Sequence, residues 1–141
     1  VGIQARVLKQ LGSRHVMIVH GLDGLDEITL SGPTMIAELK NDHVEEYQIE
    51  PAMFGIKSVP TQALRASDAA ESKAILLAVL DNQPGPARDI VALNAGAAIY
   101  VSGHSATLKD GISRAFEVLE SGAAKQKLDQ LAAISQSFKS N

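Results

Sequence analysis

His15-Val16-Met17-Ile18-Val19-His20-Gly21-Leu22-Asp23-Gly24-Leu25-Asp26-Glu27 is an apolar run that gives way to a glycine-rich, acidic one. Val16 to Val19, led by His15, reads as a buried strand, and His20 to Glu27 reads as the polar loop at its exit. In open α/β sheets ligands gather outside the carboxyl ends of strands. A loop there that carries glycines and acids in place of apolar side chains is set to meet a substrate or a metal. The stretch therefore predicts an α/β fold and marks the first place to look for chemistry.

Working outward, Gln4 to Leu11 has apolar residues at Ala5, Leu8 and Leu11 with Gly12 behind them, which predicts the end of a helix closed by glycine. Beyond the acidic loop, Glu27 to Leu30 and Met35 to Leu39 are short strand candidates separated by the turn-forming Ser31-Gly32-Pro33-Thr34. Lys40-Asn41-Asp42-His43 predicts a hairpin turn into a strand over Val44 to Ile49, and Pro51 to Pro60 reads as loop with a single helical turn. The second half is helical in character. Ser67 or Asp68 caps a helix, with Glu71 at the capping-box position for Asp68, and its apolar residues Ile75, Leu76, Val79 and Leu80 run up to the Pro84-Gly85-Pro86 break. Arg88 to Val101 is rich in alanine and glycine; its β-branched residues permit a strand, but its length favours a closely packed helix. Thr107 to Glu120, stopped by Ser121-Gly122, and Ala123 to Phe138 complete the predicted helices.

The chain has 141 residues, 45% of them hydrophobic, which fits one domain with its own core. A net charge of -3 gives no basic field, so neither nucleic acid nor an anionic membrane is an expected partner. The absence of cysteine excludes disulfides and thiolate metal sites, and cytoplasmic localisation is expected. No apolar run approaches the roughly 20 residues of a membrane span. The start, Val1-Gly2-Ile3-Gln4, lacks an initiator methionine and a signal pattern, as expected for a piece of a longer protein.

Asp26 and Glu27 are hard oxygen ligands suited to Mg²⁺, which takes one or two protein carboxylates while substrate phosphates and water complete its octahedron. Loop acids are common, and by spacing alone a solvated turn is the commoner reading. The spacing from Asp23 to Glu27 does not fit a calcium loop. His20 either orients a phosphate, acts as an acid, or merely finishes the strand. Ser31 to Thr34 lacks the lysine and glycine spacing of a phosphate loop and reads as a turn, and Asn94-Ala95-Gly96-Ala97-Ala98 is not a dinucleotide fingerprint. Its glycine fits the close approach of two helices better than the admission of a cofactor. His15, His43 and His104 flank different elements, and neither HExxH nor GxSxG occurs, so no catalytic residue is named and no covalent triad is displayed.

Taken together, Val16 to Thr34, the Ala37-Glu38-Leu39 strand, Leu64-Arg65 leading into Asp68-Ala69-Ala70-Glu71, and Asp89 to Tyr100 closely resemble the carboxyl-terminal part of the anthranilate phosphoribosyltransferases, nearly end to end. The Asp-Gly-Leu-Asp-Glu and Asn-Ala-Gly-Ala-Ala segments stand in the family's order and separation. The resemblance implies a small helical domain followed by a larger α/β domain, of the nucleoside phosphorylase/phosphoribosyltransferase type, with a mixed, mainly parallel sheet flanked by helices. Residues 1–141 would then be a fragment of the α/β domain. It also implies transfer of phosphoribosyl from phosphoribosyl pyrophosphate (PRPP) to anthranilate in tryptophan biosynthesis, with Mg²⁺ as cofactor and a homodimer of the whole enzyme. In this family the Asp-Glu pair holds Mg²⁺ against pyrophosphate, and those positions match Asp26 and Glu27.

The family's Gly-Thr-Gly-Gly-Asp loop, its Lys-His-Gly-Asn segment and the arginine that meets anthranilate precede the matched region and are not found in this chain, so the chain alone is expected to be inactive. Within the match, Ala66-Ser67 and Ser72-Lys73 replace the family's usual Gly-Gly and Asn-Ala, which puts the local turn in question. The alternatives at this point are a relative of the pyrimidine nucleoside phosphorylases, a paralogue of the transferase that acts on another aromatic amine or binds nucleic acid without catalysis, and a stable non-catalytic module with a binding role of its own.

Overall fold

The computed structural model describes residues 1–138. Helix α1 (Gly2–Gln10) is followed by strands β1 (His15–Gly21), β2 (Thr34–Lys40) and β3 (His43–Ile49), 3₁₀ turns at Pro51–Phe54 and Thr61–Leu64, and helices α2 (Ala69–Leu80), α3 (Pro86–Val101), α4 (Leu108–Glu120) and α5 (Ala123–Ser137). The α/β class and the helical second half are as expected.

The sheet is not. Among the described residues it has the order β1-β2-β3 and is antiparallel throughout, where a mixed, mainly parallel sheet was expected. The cause lies in the connections. Parallel neighbours need a crossover, usually a helix, whereas Lys40 and His43 are joined through Asn41 and Asp42 in left-handed backbone (φ 51° and 63°), a hairpin geometry that suits these residue types. Between β1 and β2 the chain forms no helix either: Gly21 pairs with Thr34, and everything between them is one folded loop.

The expected strand over Glu27 to Leu30 is also absent. Ile28, Thr29 and Leu30 are buried, as their composition requires, but no ladder forms: Leu30 O takes the Val59 N–H at 3.1 Å, and the other two meet side chains. The Ile28 N–H donates to Asn94 Oδ1 at 2.9 Å and the Thr29 N–H to Thr34 Oγ1 at 3.1 Å.

The sheet lies between two helical layers. On one face α1 packs across all three strands and buries Ala5, with Arg6 and Lys9 paired to Glu46 and Asp42. On the other, Ile36 and Ile49 join Ile28, Leu30, Ile56, Leu93, Ala97 and Ile112 in the core cluster. A part-buried carboxylate fastens this second layer. Glu38 of β2 accepts from Tyr47 Oη (2.7 Å), Tyr100 Oη (2.8 Å) and His15 Nε2 (2.8 Å), and Lys40 Nζ donates to Tyr100 Oη at 2.9 Å. Burial would raise the Glu38 carboxyl, but the hydrogen bonds from Tyr47, Tyr100 and His15 outweigh it and hold its pKa below the usual value. The carboxyl end of α3 is thereby tied to the sheet.

The helix ends follow their local chemistry. Asp68 Oδ1 accepts from the Glu71 N–H at 2.8 Å, as expected of the cap, and Glu71 Oε2 in turn takes the N–H and hydroxyl of Ser67 at 2.7 and 2.5 Å. Ser67 thus closes the turn that its departure from the family pattern had put in question. Helix α3 begins at Pro86, ahead of the expected Arg88, because proline suits the first helical position, where no N–H partner is needed.

Candidate functional site

The loop between β1 and β2 is held from inside by Asp23. Its Oδ2 accepts from the hydroxyls of Thr61 (2.5 Å), Ser31 (2.6 Å) and Thr29 (2.8 Å), and its Oδ1 from the Leu25 N–H at 3.3 Å. The hydrogen bond from Ser31, with those from Thr61 and Thr29 behind it, holds the Asp23 carboxyl well below the ordinary carboxylate range. An acid whose lone pairs are taken up by hydroxyls organises a loop. It is a poor candidate for a metal.

Backbone bonds complete the frame. The Gly21 N–H reaches Leu25 O at 2.8 Å, the Leu22 N–H reaches Pro33 O at 3.0 Å, and Gly24 turns the chain with φ 96°. A side chain at Gly21 has no room, since its Cβ would stand 2.6 Å from Asp23 Oδ1, an atom that the loop's own bonds keep in place.

Asp26 and Glu27, the sequence-predicted metal ligands, follow this frame and are both exposed. They stand together at a cleft of about 700 Å³ whose other walls include Arg65, Ile75 of α2, Val91 of α3 and Leu128 of α5. Immediately after them the chain dives into the core, where Asn94 of α3 binds Ile28 twice. Besides accepting from the Ile28 N–H, its side chain donates through Nδ2 to Ile28 O at 3.0 Å and to Ile90 O at 3.0 Å. The acidic pair is therefore flanked by two fastened points.

The remaining candidates separate. His20 is exposed in β1 opposite Met35 and does not line the cleft. His15 belongs to the Glu38 group, His43 begins β3, and His104 shares a hydrogen bond of 3.0 Å with Ser102. Among the described residues no three His, Asp or Glu side chains converge as a metal cage. Two hard carboxylates without a cage still fit Mg²⁺, which keeps positions for phosphate and water. They do not fit Zn²⁺ or a dedicated Ca²⁺ site.

Asp23, Thr61 and Asn94 were not singled out by the sequence. Asp23 had a faint signal, an Asp-Gly turn followed by Thr29 and Ser31. Thr61 had none, and Asn94 stood out only within the Asn-Ala-Gly-Ala-Ala segment of the resemblance, with nothing to tie it to the loop, because the two reach the loop from 38 and 66 residues away.

The Asp23 geometry predicts a pH signature. A folded pKa held below the unfolded value contributes stability that is present above the unfolded pKa and is lost as pH falls through the folded one. Asp23→Asn should therefore lower stability at neutral pH by about 1 kcal/mol or less, solvent screening at this exposed position limiting the effect. The difference from wild type should shrink steadily below about pH 4. Urea unfolding of both proteins between about pH 7 and pH 2.5 measures it, and a difference independent of pH would show that the charge of Asp23 is not what holds the loop.

Similarity to known proteins extends over nearly the whole chain. Residues 1–125 match the glycosyl transferase family, a/b domain. The anthranilate phosphoribosyltransferase of Chromobacterium violaceum is 64% identical over 135 residues, covering 96% of this chain and 40% of that protein. Among solved structures, the anthranilate phosphoribosyltransferase of Thermus thermophilus superposes with a TM-score of 0.82 at 35% identity, covering 92% of this chain and 38% of that one. The Saccharomyces cerevisiae enzyme in complex with PRPP and Mg gives a TM-score of 0.72 at 27% identity, covering 82% and 33%. The chain thus spans about 40% of the length of the curated relatives it matches.

Proposed function

The chain belongs to the glycosyl transferase family, whose a/b domain is matched by residues 1–125, and from this premise we infer that it is a carboxyl-terminal part of the α/β domain of an anthranilate phosphoribosyltransferase. The inferred reaction joins anthranilate to the ribose of PRPP in tryptophan biosynthesis. The amine nitrogen forms a bond to the anomeric carbon, the bond from that carbon to the pyrophosphate oxygen breaks, and the amine gives up a proton. Such a displacement needs position and charge neutralisation more than a protein nucleophile, which accords with a sequence that displays no triad.

The observation that carries this reading is the placement of Asp26 and Glu27: adjacent, exposed, at a cleft, on a loop fastened before and after them. These two carboxylates would hold Mg²⁺. When bound, Mg²⁺ supplies positive charge to the phosphate oxygens of the leaving group. The chain's own part is to present the acids in a fixed direction, Asp23 closing the loop on one side and Asn94 on the other. Arg65, at the same cleft, adds a cationic group beside them.

A chimera tests the assignment. Substituting this chain for the matching 135 residues of the Chromobacterium violaceum enzyme should give a protein that makes phosphoribosyl anthranilate from PRPP and anthranilate in the presence of Mg²⁺. The isolated chain should make none, because positioning groups worth about 7 to 11 kcal/mol in such reactions lie in motifs it does not contain. A folded chimera that is inactive with anthranilate and instead cleaves pyrimidine nucleosides with phosphate would move the chain to the phosphorylases.

A further inference from the structure

Asn94 reaches the acidic loop from a helix far along the chain. It lies in α3, in the alanine-rich segment that the sequence presents as a close-packing stretch, and all its polar capacity on the loop side goes to one residue. Oδ1 accepts from the Ile28 N–H at 2.9 Å and Nδ2 donates to Ile28 O at 3.0 Å, with Ile90 O as a second acceptor at 3.0 Å. The pattern is that of a strand pairing with a neighbour, except that a side-chain amide takes the neighbour's place. Both peptide planes around Ile28 are thereby set, and the plane on its amino side is shared with Glu27.

The consequences are directional. Glu27 is exposed and Ile28 is 2% exposed, so the chain passes from solvent to core across one peptide unit. Burial of the Ile28 side chain fixes where this segment sits. It does not fix the rotation of the peptide about the chain axis, because an apolar contact has no direction. Two hydrogen bonds to the same residue do fix it, and with it the direction in which Glu27 and Asp26 leave the backbone. Helix α3 is itself held at its far end by the Tyr100–Glu38 bond (2.8 Å), so Asn94 acts from a rigid support.

We propose that Asn94 is a positioning residue for the Asp26–Glu27 carboxylate pair, setting its affinity for a divalent cation without touching the ion. The proposal rests on the reading of that pair as the Mg²⁺ site. Groups that orient metal ligands from behind typically alter metal affinity by about 10- to 100-fold when removed, and an effect at the lower end is expected here because the carboxylates remain.

The test uses the ¹⁵N-labelled chain with Mn²⁺ as the probe, since its paramagnetism broadens nearby amide signals even when binding is weak. In wild type, the signals of Asp26 and Glu27 should broaden as Mn²⁺ is added, and the Ile28 amide should exchange slowly with solvent. Asn94→Ala should weaken Mn²⁺ binding about 10-fold and speed exchange at Ile28. Asn94→Ser, which is too short to span both bonds, should do the same if the alanine variant fails to fold. Leu39→Val, in the core of β2 at the opposite end of β1, serves as the control: it should lower the melting temperature and leave Mn²⁺ binding unchanged. If the Asn94 variants melt earlier but bind Mn²⁺ as wild type does, Asn94 is a packing residue and the proposal is wrong. Asp26→Asn with Glu27→Gln separates the two levels. If this double variant keeps wild-type Mn²⁺ binding, it is the metal site itself that has been misassigned. If it abolishes binding while the Asn94 variants do not weaken it, only the positioning role fails.

Discussion

Asp26→Asn combined with Glu27→Gln, introduced into the chimera with the Chromobacterium violaceum enzyme, is expected to lower Mg²⁺-dependent phosphoribosyl transfer by on the order of 10³-fold, because a metal on the leaving group contributes several kcal/mol of charge stabilisation. Stability should hardly change. Both side chains are exposed, and the loop is closed by Asp23, Gly21 and Leu22, none of which is altered. Surface substitutions away from buried contacts stay within about 0.5 kcal/mol, and here the removal of two neighbouring like charges adds no penalty. The two substitutions conserve shape while removing both charges, so the loss is one of ligand chemistry. Transfer rates across a magnesium titration and melting curves decide the matter together. A double variant with wild-type magnesium dependence would end the metal assignment. A large fall in melting temperature accompanying the loss of rate would make the loop structural instead.

What the sequence disclosed and what it concealed follow from the range of the interactions. Helices α2, α4 and α5 were legible because their caps and stops are local: Asp68 with Glu71, Thr107 with Asp110, Gly122 in left-handed backbone. The turn at Asn41 and Asp42 was legible for the same reason. Sheet direction was not, because the apolar run Val16 to Val19 serves equally in a parallel or an antiparallel pair, and only the course of the following loop decides. Glu27 to Leu30 looked like a strand because three of its residues are core residues, and nothing local records that the backbone of Ile28 and Thr29 is met by the side chains of Asn94 and Thr34. The acidic pair itself was visible as chemistry and by resemblance. The groups that aim it were not, since Thr61 and Asn94 meet the loop only through tertiary structure.

The same helix that supplies Asn94 also makes an exacting contact with its neighbour, and a single methyl group should expose it. Gly96 faces Gly111 and Ile112 of α4 so closely that a Cβ on Gly96 would lie 2.5 Å from Ile112 Cα and 2.6 Å from its backbone nitrogen. A Cβ on Gly111 would collide with the carbonyl oxygen of Gly96. Neither obstacle is a side chain that turns aside. Two effects oppose each other in Gly96→Ala: alanine is favoured over glycine inside a helix by about 1 kcal/mol, and overpacking a core costs about 1 to 3 kcal/mol, occasionally more. Because the clash is with backbone, α3 and α4 must separate as units, which places the cost at or beyond the upper figure. A net loss of about 2 kcal/mol follows, or a fall in melting temperature of roughly 8 °C for a domain of this size. Ala98→Gly, an exposed site on the same helix, isolates the propensity term and should cost no more than about 1 kcal/mol. The displacement also has a functional reading. Asn94 lies two positions before Gly96, so moving α3 outward draws its amide away from Ile28, and amide exchange at Ile28 should quicken in Gly96→Ala but not in Ala98→Gly. A Gly96→Ala protein that melts higher than wild type would mean that propensity wins and that the two helices yield more readily than their spacing implies.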